Sequence, residues 1–77
     1  MDARNRRRLG DLFKRVMKID HFSEDLSMER LGQWDSLKHV ELLTEIDEEF
    51  KVDIDPTKLW KMVSVAGIIE VLSDYVE

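Results

Sequence analysis

The chain has 77 residues, with 12 basic and 17 acidic side chains, two histidines, no cysteine and a formal net charge of -5. That length allows one small domain, residues 1–77, which buries roughly 60% of the surface its unfolded chain exposes. Disulfides and thiolate metal sites are excluded, two imidazoles are too few for a structural zinc site, and no metal site is expected.

The basic start is not followed by an apolar run long enough for an export signal or a membrane span, so membrane insertion is not expected and a cytoplasmic setting is the default. The charge is unevenly placed. Residues 1–18 hold seven basic side chains against two acidic ones, and residues 35–55 hold eight acidic against two basic. An acidic middle repels nucleic acid and attracts basic proteins, so no nucleic-acid partner is expected.

The first helix is expected from about Arg4 to Ile19. Leu9, Leu12, Phe13, Val16 and Met17 follow the i, i+3, i+4, i+7, i+8 spacing of one apolar stripe. Residues 1–8 are expected to fray as a solvated basic terminus. Gly10 inside this helix costs up to about 1 kcal/mol against Ala. Asp20 to Trp34 reads as a long loop pinned to the core by Phe22, Leu26, Met28 and Leu31, with room for a short helical turn near Ser27 to Leu31. Loops of this length in so small a domain are often functional.

The second helix is expected from Ser36 to Phe50, with Asp35 as its N-cap. Leu37, Val40, Leu43, Ile46 and Phe50 are read as its inner face, widened by Leu42. Lys51 to Ile54 is an extended link. Asp55 caps a short third helix that has Pro56 in its first turn and carries Leu59, Trp60 and Met62. Ser64 caps a last helix ending near Tyr75, with Val65, Ile68, Ile69, Leu72 and Val76 inward. Trp34 and Trp60 are read as packing residues. The sum is an all-α bundle of three main helices and one short helix.

The stretch that carries chemistry is Trp34-Asp35-Ser36-Leu37, followed by Val40-Glu41-Leu42. A serine just after a capping aspartate presents its hydroxyl beside the free N–H groups and positive dipole end of a helix, a setting suited to a phosphodiester. The same dipeptide also serves as a plain cap. Ser36 and His39, three apart, could form a small esterase pair. No nucleophile-elbow glycines or oxyanion hole accompany them.

Asp35-Ser36-Leu37 at the head of an acidic amphipathic helix resembles the attachment motif of acyl and peptidyl carrier proteins. The resemblance continues through Val40-Glu41-Leu42, Glu48-Glu49-Phe50, Asp53-Ile54, the short helix from Pro56 and the Ser64-Val65 start of the last helix. It covers roughly residues 9 to 76. Where the family often has glycine shortly before Asp-Ser-Leu, this chain has Gln33-Trp34. The Trp-Asp-Ser-Leu form is similar to that of many stand-alone carriers outside primary fatty-acid synthesis.

The resemblance implies a small four-helix carrier fold of acyl-carrier type and a monomer without catalysis of its own. It implies a 4'-phosphopantetheine arm, taken from coenzyme A, on Ser36 between Asp35 and Leu37. Acyl or aminoacyl intermediates are tethered to such an arm as thioesters in fatty acid, polyketide or nonribosomal biosynthesis. The implied partners are a phosphopantetheinyl transferase, a loading ligase or transferase, and downstream synthase enzymes, reading Glu41, Glu45, Asp47 and Glu48. Val40, Leu43, Ile54, Leu59, Met62, Ile68 and Leu72 are the expected lining of a cavity for an acyl cargo. The rivals are a carrier-like interaction module that is never modified and an esterase using Ser36 and His39. The like-charge pair Glu41 and Glu45, four apart, and the run Asp47-Glu48-Glu49 lead to the expectation that salt stabilises the fold.

Overall fold

The computed structural model describes residues 1–77 as three α-helices and one 3-10 helix, with no strand: α1 Ala3–Met17, α2 Ser36–Phe50, η1 Pro56–Lys61 and α3 Val65–Leu72. Sixteen apolar side chains form one core, and no polar or charged residue is fully buried. The expected stripe of α1 (Leu9, Leu12, Phe13, Val16 and Met17) lies wholly within it.

Residues 3–8, expected as a frayed terminus, lie within α1. Asp2 caps α1, its carboxylate accepting the Asn5 N–H at 2.8 Å, and Arg6 and Arg8 are engaged with Glu24 and Glu49. The helix stops at Met17, two residues before the expected end, because Lys18 turns into the left-handed region (φ 58°). Such a turn closes the last carbonyls of a helix and is usually made by glycine, so the sequence carried no stop signal there.

The long loop is fixed at two places. The Phe22 ring packs on Gly10, where an added Cβ would lie 3.1 Å from it, and on the Phe13 ring at 5.4 Å. Further on, the Met28 N–H donates to the Val63 carbonyl and the Val65 N–H to the Leu26 carbonyl, both at 2.9 Å. This clamps the loop to the junction of η1 and α3. Leu26, Met28 and Leu31 are half-buried against the core as expected.

The second helix has the expected bounds, but its inner face is different. Leu42, Ile46 and Phe50 are buried and Leu43 is half-buried, whereas Leu37 is 83% and Val40 63% exposed. Leu37 precedes Ile46 by nine residues, about two and a half turns at 3.6 residues per turn, so it faces the opposite way. His39 precedes Ile46 by seven residues, about two turns, and takes the inner position instead.

The third element is a 3-10 helix. The Asp55 carboxylate accepts both the Thr57 N–H and the Thr57 hydroxyl at 2.9 Å. Met62 is buried and Leu59 half-buried, but Trp60 is 71% exposed and is not a packing residue. Gly67 allows η1 and α3 to meet: a Cβ there would overlap the Lys61 carbonyl oxygen. The last helix ends at Leu72, short of Tyr75. The Tyr75 and Asp74 N–H groups bond three residues back, and the Tyr75 hydroxyl accepts the Asp55 N–H at 3.0 Å. Tyr75 thus leaves the helix to hold the start of η1.

Arg8 pairs with Glu49 and Arg15 with Glu45 across α1 and α2, which therefore run antiparallel. The C-terminal end of α1 thus lies toward the N-terminal end of α2, where Ser36 stands.

Candidate functional site

The loop ends in a tight approach to α2. The Trp34 N–H donates to the Leu31 carbonyl and the Asp35 N–H to the Gln33 carbonyl, both at 3.0 Å. Asp35 is extended (φ -98°, ψ -173°) and its carboxylate accepts the Lys38 N–H at 2.9 Å. Its carbonyl accepts the His39 N–H at 2.8 Å. Ser36 is the first helical residue and is exposed. The N–H groups of Ser36 and Leu37 make no backbone hydrogen bond, as the first turn of a helix dictates.

Trp34 is the anchor beneath this turn. It is 1% exposed and meets the Phe13 ring edge-on at 5.2 Å. Its indole N–H donates to Nδ1 of His39 at 3.0 Å. Burial holds the His39 imidazole below its ordinary 6.5. Ser36 and His39 share no hydrogen bond, and Nδ1 of the imidazole is engaged by Trp34.

The residues at this end fit a phosphodiester. Ser36 offers an exposed hydroxyl, the neighbouring N–H groups make no backbone bond, and the Asp35 carboxylate is engaged by the Lys38 N–H.

The four acidic side chains expected to face partners are not equivalent. Glu48 is exposed. Glu41 is exposed and lies 3.7 Å from the Lys38 ammonium on its own helix. Glu45 is half-buried, 3.8 Å from Arg15 of α1. Asp47 is half-buried, and burial, then the Asp53 carboxylate, pushes its carboxyl up from 3.8. The basic first helix therefore neutralises one side of the acidic helix, and Glu41 and Glu48 stay on the open side.

Of the expected cavity lining, Ile54, Met62, Ile68 and Leu72 are buried in the core, and Leu43 and Leu59 are half-buried against it. Val40 is not part of this wall, because it points to solvent beside Leu37. Two surface depressions lie elsewhere. One is beside Arg6, Phe22 and Ile69, the other beside Trp60, Val63 and Gly67. The sequence reading missed the Trp34–His39 bond. The helical period was the available signal, since it puts His39 in line with Ile46.

The model of the phosphopantetheine attachment site family matches residues 7–72, so the match runs from α1 to the end of α3 and the chain belongs to that family. The fold is the all-α bundle of acyl-carrier type and the chain is a phosphopantetheine-bearing carrier, its prosthetic group being 4'-phosphopantetheine. Carrier domains of this kind are generally non-catalytic, are modified by a phosphopantetheinyl transferase and work with synthase enzymes. No curated protein and no solved structure matched the chain. No helix is long and apolar enough to cross a membrane.

Proposed function

We propose that Ser36 is the residue that accepts the 4'-phosphopantetheine arm and that the protein tethers acyl or aminoacyl groups and delivers them to partner enzymes. The observation that carries this reading is the exposed Ser36 hydroxyl at the first position of α2, beside two N–H groups that make no backbone bond. When attached, the arm supplies a terminal thiol that holds the cargo as a thioester. The chain supplies the rest. Asp35 fixes the turn through its bond to Lys38, and the α2 dipole favours the negative phosphodiester at this end.

Recognition belongs to the open side of α2. Glu41 and Glu48 offer carboxylates to basic side chains of a transferase or synthase, and Leu37 and Val40 offer exposed apolar contact next to Ser36. Glu45 and Asp47, more enclosed, contribute less. An apolar cargo would part the wall formed by Leu43, Ile54, Leu59, Met62, Ile68 and Leu72. The protein acts as a monomer in this role.

The test is intact-protein mass spectrometry after incubation with coenzyme A and a broad-specificity phosphopantetheinyl transferase. The wild type gains one phosphopantetheine. Ser36→Ala folds with the same circular dichroism and gains none. A gain in that variant, or none in the wild type, defeats the assignment.

A further inference from the structure

The Trp34–His39 bond spans the turn that presents Ser36, and it has a chemical consequence. An indole N–H can only donate, so Nδ1 of His39 must be bare to accept it. Neutral His39 then carries its single ring proton on Nε2. A second proton on Nδ1 would set N–H against N–H, and the bond would break. The donor cannot turn away to compensate, because Trp34 is packed edge-on against Phe13 and almost fully enclosed.

Three bonds tie the start of α2 back to Trp34 and Asp35. Two use backbone groups: the His39 N–H to the Asp35 carbonyl and the Lys38 N–H to the Asp35 carboxylate. The third joins two side chains, from the last loop residue before the cap to the fourth residue of α2, and brackets Ser36 in the sequence. It is the only one of the three that ends on an imidazole.

We infer that His39 is a positioning residue for Ser36, holding the loop-to-helix turn through Trp34 while neutral and releasing it when protonated. The inference rests on the reading of Ser36 as the loaded residue. Charged side chains on α1, α2 and the loop are paired with groups other than the His39 imidazole. On α2, the Asp35 carboxylate is turned onto the Lys38 N–H and the Lys38 ammonium faces Glu41. On α1, Arg15 is paired with Glu45 and Lys14 with Asp11. On the loop, His21 faces Asp20 and Arg30 faces Asp25. Desolvation is the sole cause that lowers the His39 value.

The experiment has two arms, both on the full chain. In the first, the unloaded protein is titrated by NMR between pH 8 and pH 5, following the His39 ring, the Trp34 indole N–H and the Ser36 and Leu37 amides. The expected result is the Nε2-protonated tautomer at neutral pH, with the indole and both amides moving at the His39 midpoint. In His39→Gln the amide oxygen can still accept the indole proton but does not titrate, so that shared movement disappears.

In the second arm, phosphopantetheine loading is timed over the same range with coenzyme A and one transferase. His39→Gln should match the wild type near pH 7.5 and overtake it as pH falls. His39→Leu and Trp34→Phe, which lose the acceptor and the donor, should load about fivefold more slowly even near pH 7.5, the size expected for one net hydrogen bond. An indole signal indifferent to the His39 titration, or equal loading and equal pH profiles for wild type, Gln and Leu variants, overturns the inference. A wild type that loads at no pH overturns the Ser36 reading and the positioning role with it, and the first arm still decides whether the bond is broken by protonation.

Discussion

Arg8 of α1 holds Glu49 of α2 at two points: Nε donates to the carboxylate at 3.1 Å and Nη2 to the backbone carbonyl at 2.7 Å. The carbonyl is one of the four that the end of a helix leaves without an intrahelical partner, and α2 has no basic residue of its own in its last turn. Arg8 supplies that charge from the neighbouring helix and also lies over the Phe50 ring, 4.8 Å from its centroid. Arg8→Ala should therefore destabilise the fold by about 1–2 kcal/mol, the upper part of the range because a charged donor is lost from a half-buried carbonyl. Urea denaturation with an unchanged m-value checks this. A loss below a few tenths of a kcal/mol would make the contact ornamental.

The same pairing changes what salt should do. From the sequence, Glu41 and Glu45 repel each other and screening should help. In the fold Glu41 faces Lys38, Glu45 faces Arg15 and Glu49 faces Arg8, so each has its own cation. The wild-type melting temperature should change little between low and high salt. The double variant Arg8→Ala with Arg15→Ala leaves Glu45 and Glu49 unpaired, and its melting temperature should rise with salt. With 1 kcal/mol worth roughly 4–8 °C in a domain this small, the rise should be a few degrees. Parallel salt responses of the two proteins, measured by circular dichroism, would show that the cross-helix pairs carry no weight.

Gly67 is expected to be the least replaceable glycine. A methyl group there overlaps the Lys61 carbonyl oxygen, which is backbone and cannot step aside without moving η1. Overpacking of this kind costs about 1–3 kcal/mol, and the better helix propensity of alanine returns up to about 1. Gly67→Ala should lower the melting temperature. Gly32, with nothing within 4 Å of an added Cβ, serves as the control and should tolerate alanine. Equal tolerance at both sites would mean that η1 does not rest on α3 as described.

Asp47 gives a pH dependence of defined sign. Burial first, and the Asp53 carboxylate second, hold its carboxyl above the usual 3.8. The native state therefore binds the proton more tightly than the unfolded chain. Stability from this group rises as pH falls through the raised native value, and at neutral pH the ionised form is a liability. Asp47→Asn should stabilise the protein at pH 7, and the gain should shrink on acidification until both states of the wild type are protonated. Urea midpoints at several pH values test it. A variant less stable than wild type at pH 7 would show that the carboxylate has a stabilising partner.

The fold was legible where a residue type forces a backbone event. Asp35, Asp55 and Ser64 each cap the helix that the sequence places after them, and α2 has the expected limits. Helix ends without such a marker are not legible: α1 stops at Met17 and α3 at Leu72. Lys18 stops α1 in a left-handed turn that glycine would have announced, and Tyr75 leaves α3 for a bond to Asp55 that is distant in sequence. Apolar residues mislead when taken as core by hydrophobicity alone. Leu37, Val40 and Trp60 are outside, and counting turns from Ile46 gives the inner place to His39 and not to Leu37. The Ser36 turn could be read from Trp34 to Leu37, but the bond beneath it could not, because Trp34 becomes a fixed donor only once Phe13 of α1 encloses it.

Partner recognition should separate the acidic residues by what the fold has already done to them. Glu41 and Glu48 are exposed, Glu45 is held by Arg15, and Glu70 on α3 lies 3.7 Å from Lys61. Reversal to lysine at Glu41 or Glu48 should slow phosphopantetheine loading by about fivefold to tenfold at low ionic strength, since complementary surface charge acts chiefly on the encounter rate. The deficit should shrink as salt shortens the screening length to about 8 Å at physiological strength and less beyond it. Reversal at Glu45 should show mainly as lost stability, because the new lysine opposes Arg15, with loading by the folded protein nearer to wild type. Reversal at Glu70 should do least to loading. Stopped-time loading assays on the four variants, each corrected for its folded fraction by circular dichroism, make the comparison. Equal slowing at all four positions would mean that partners sense the overall charge of the molecule, and the localised address on the open side of α2 would have to be abandoned.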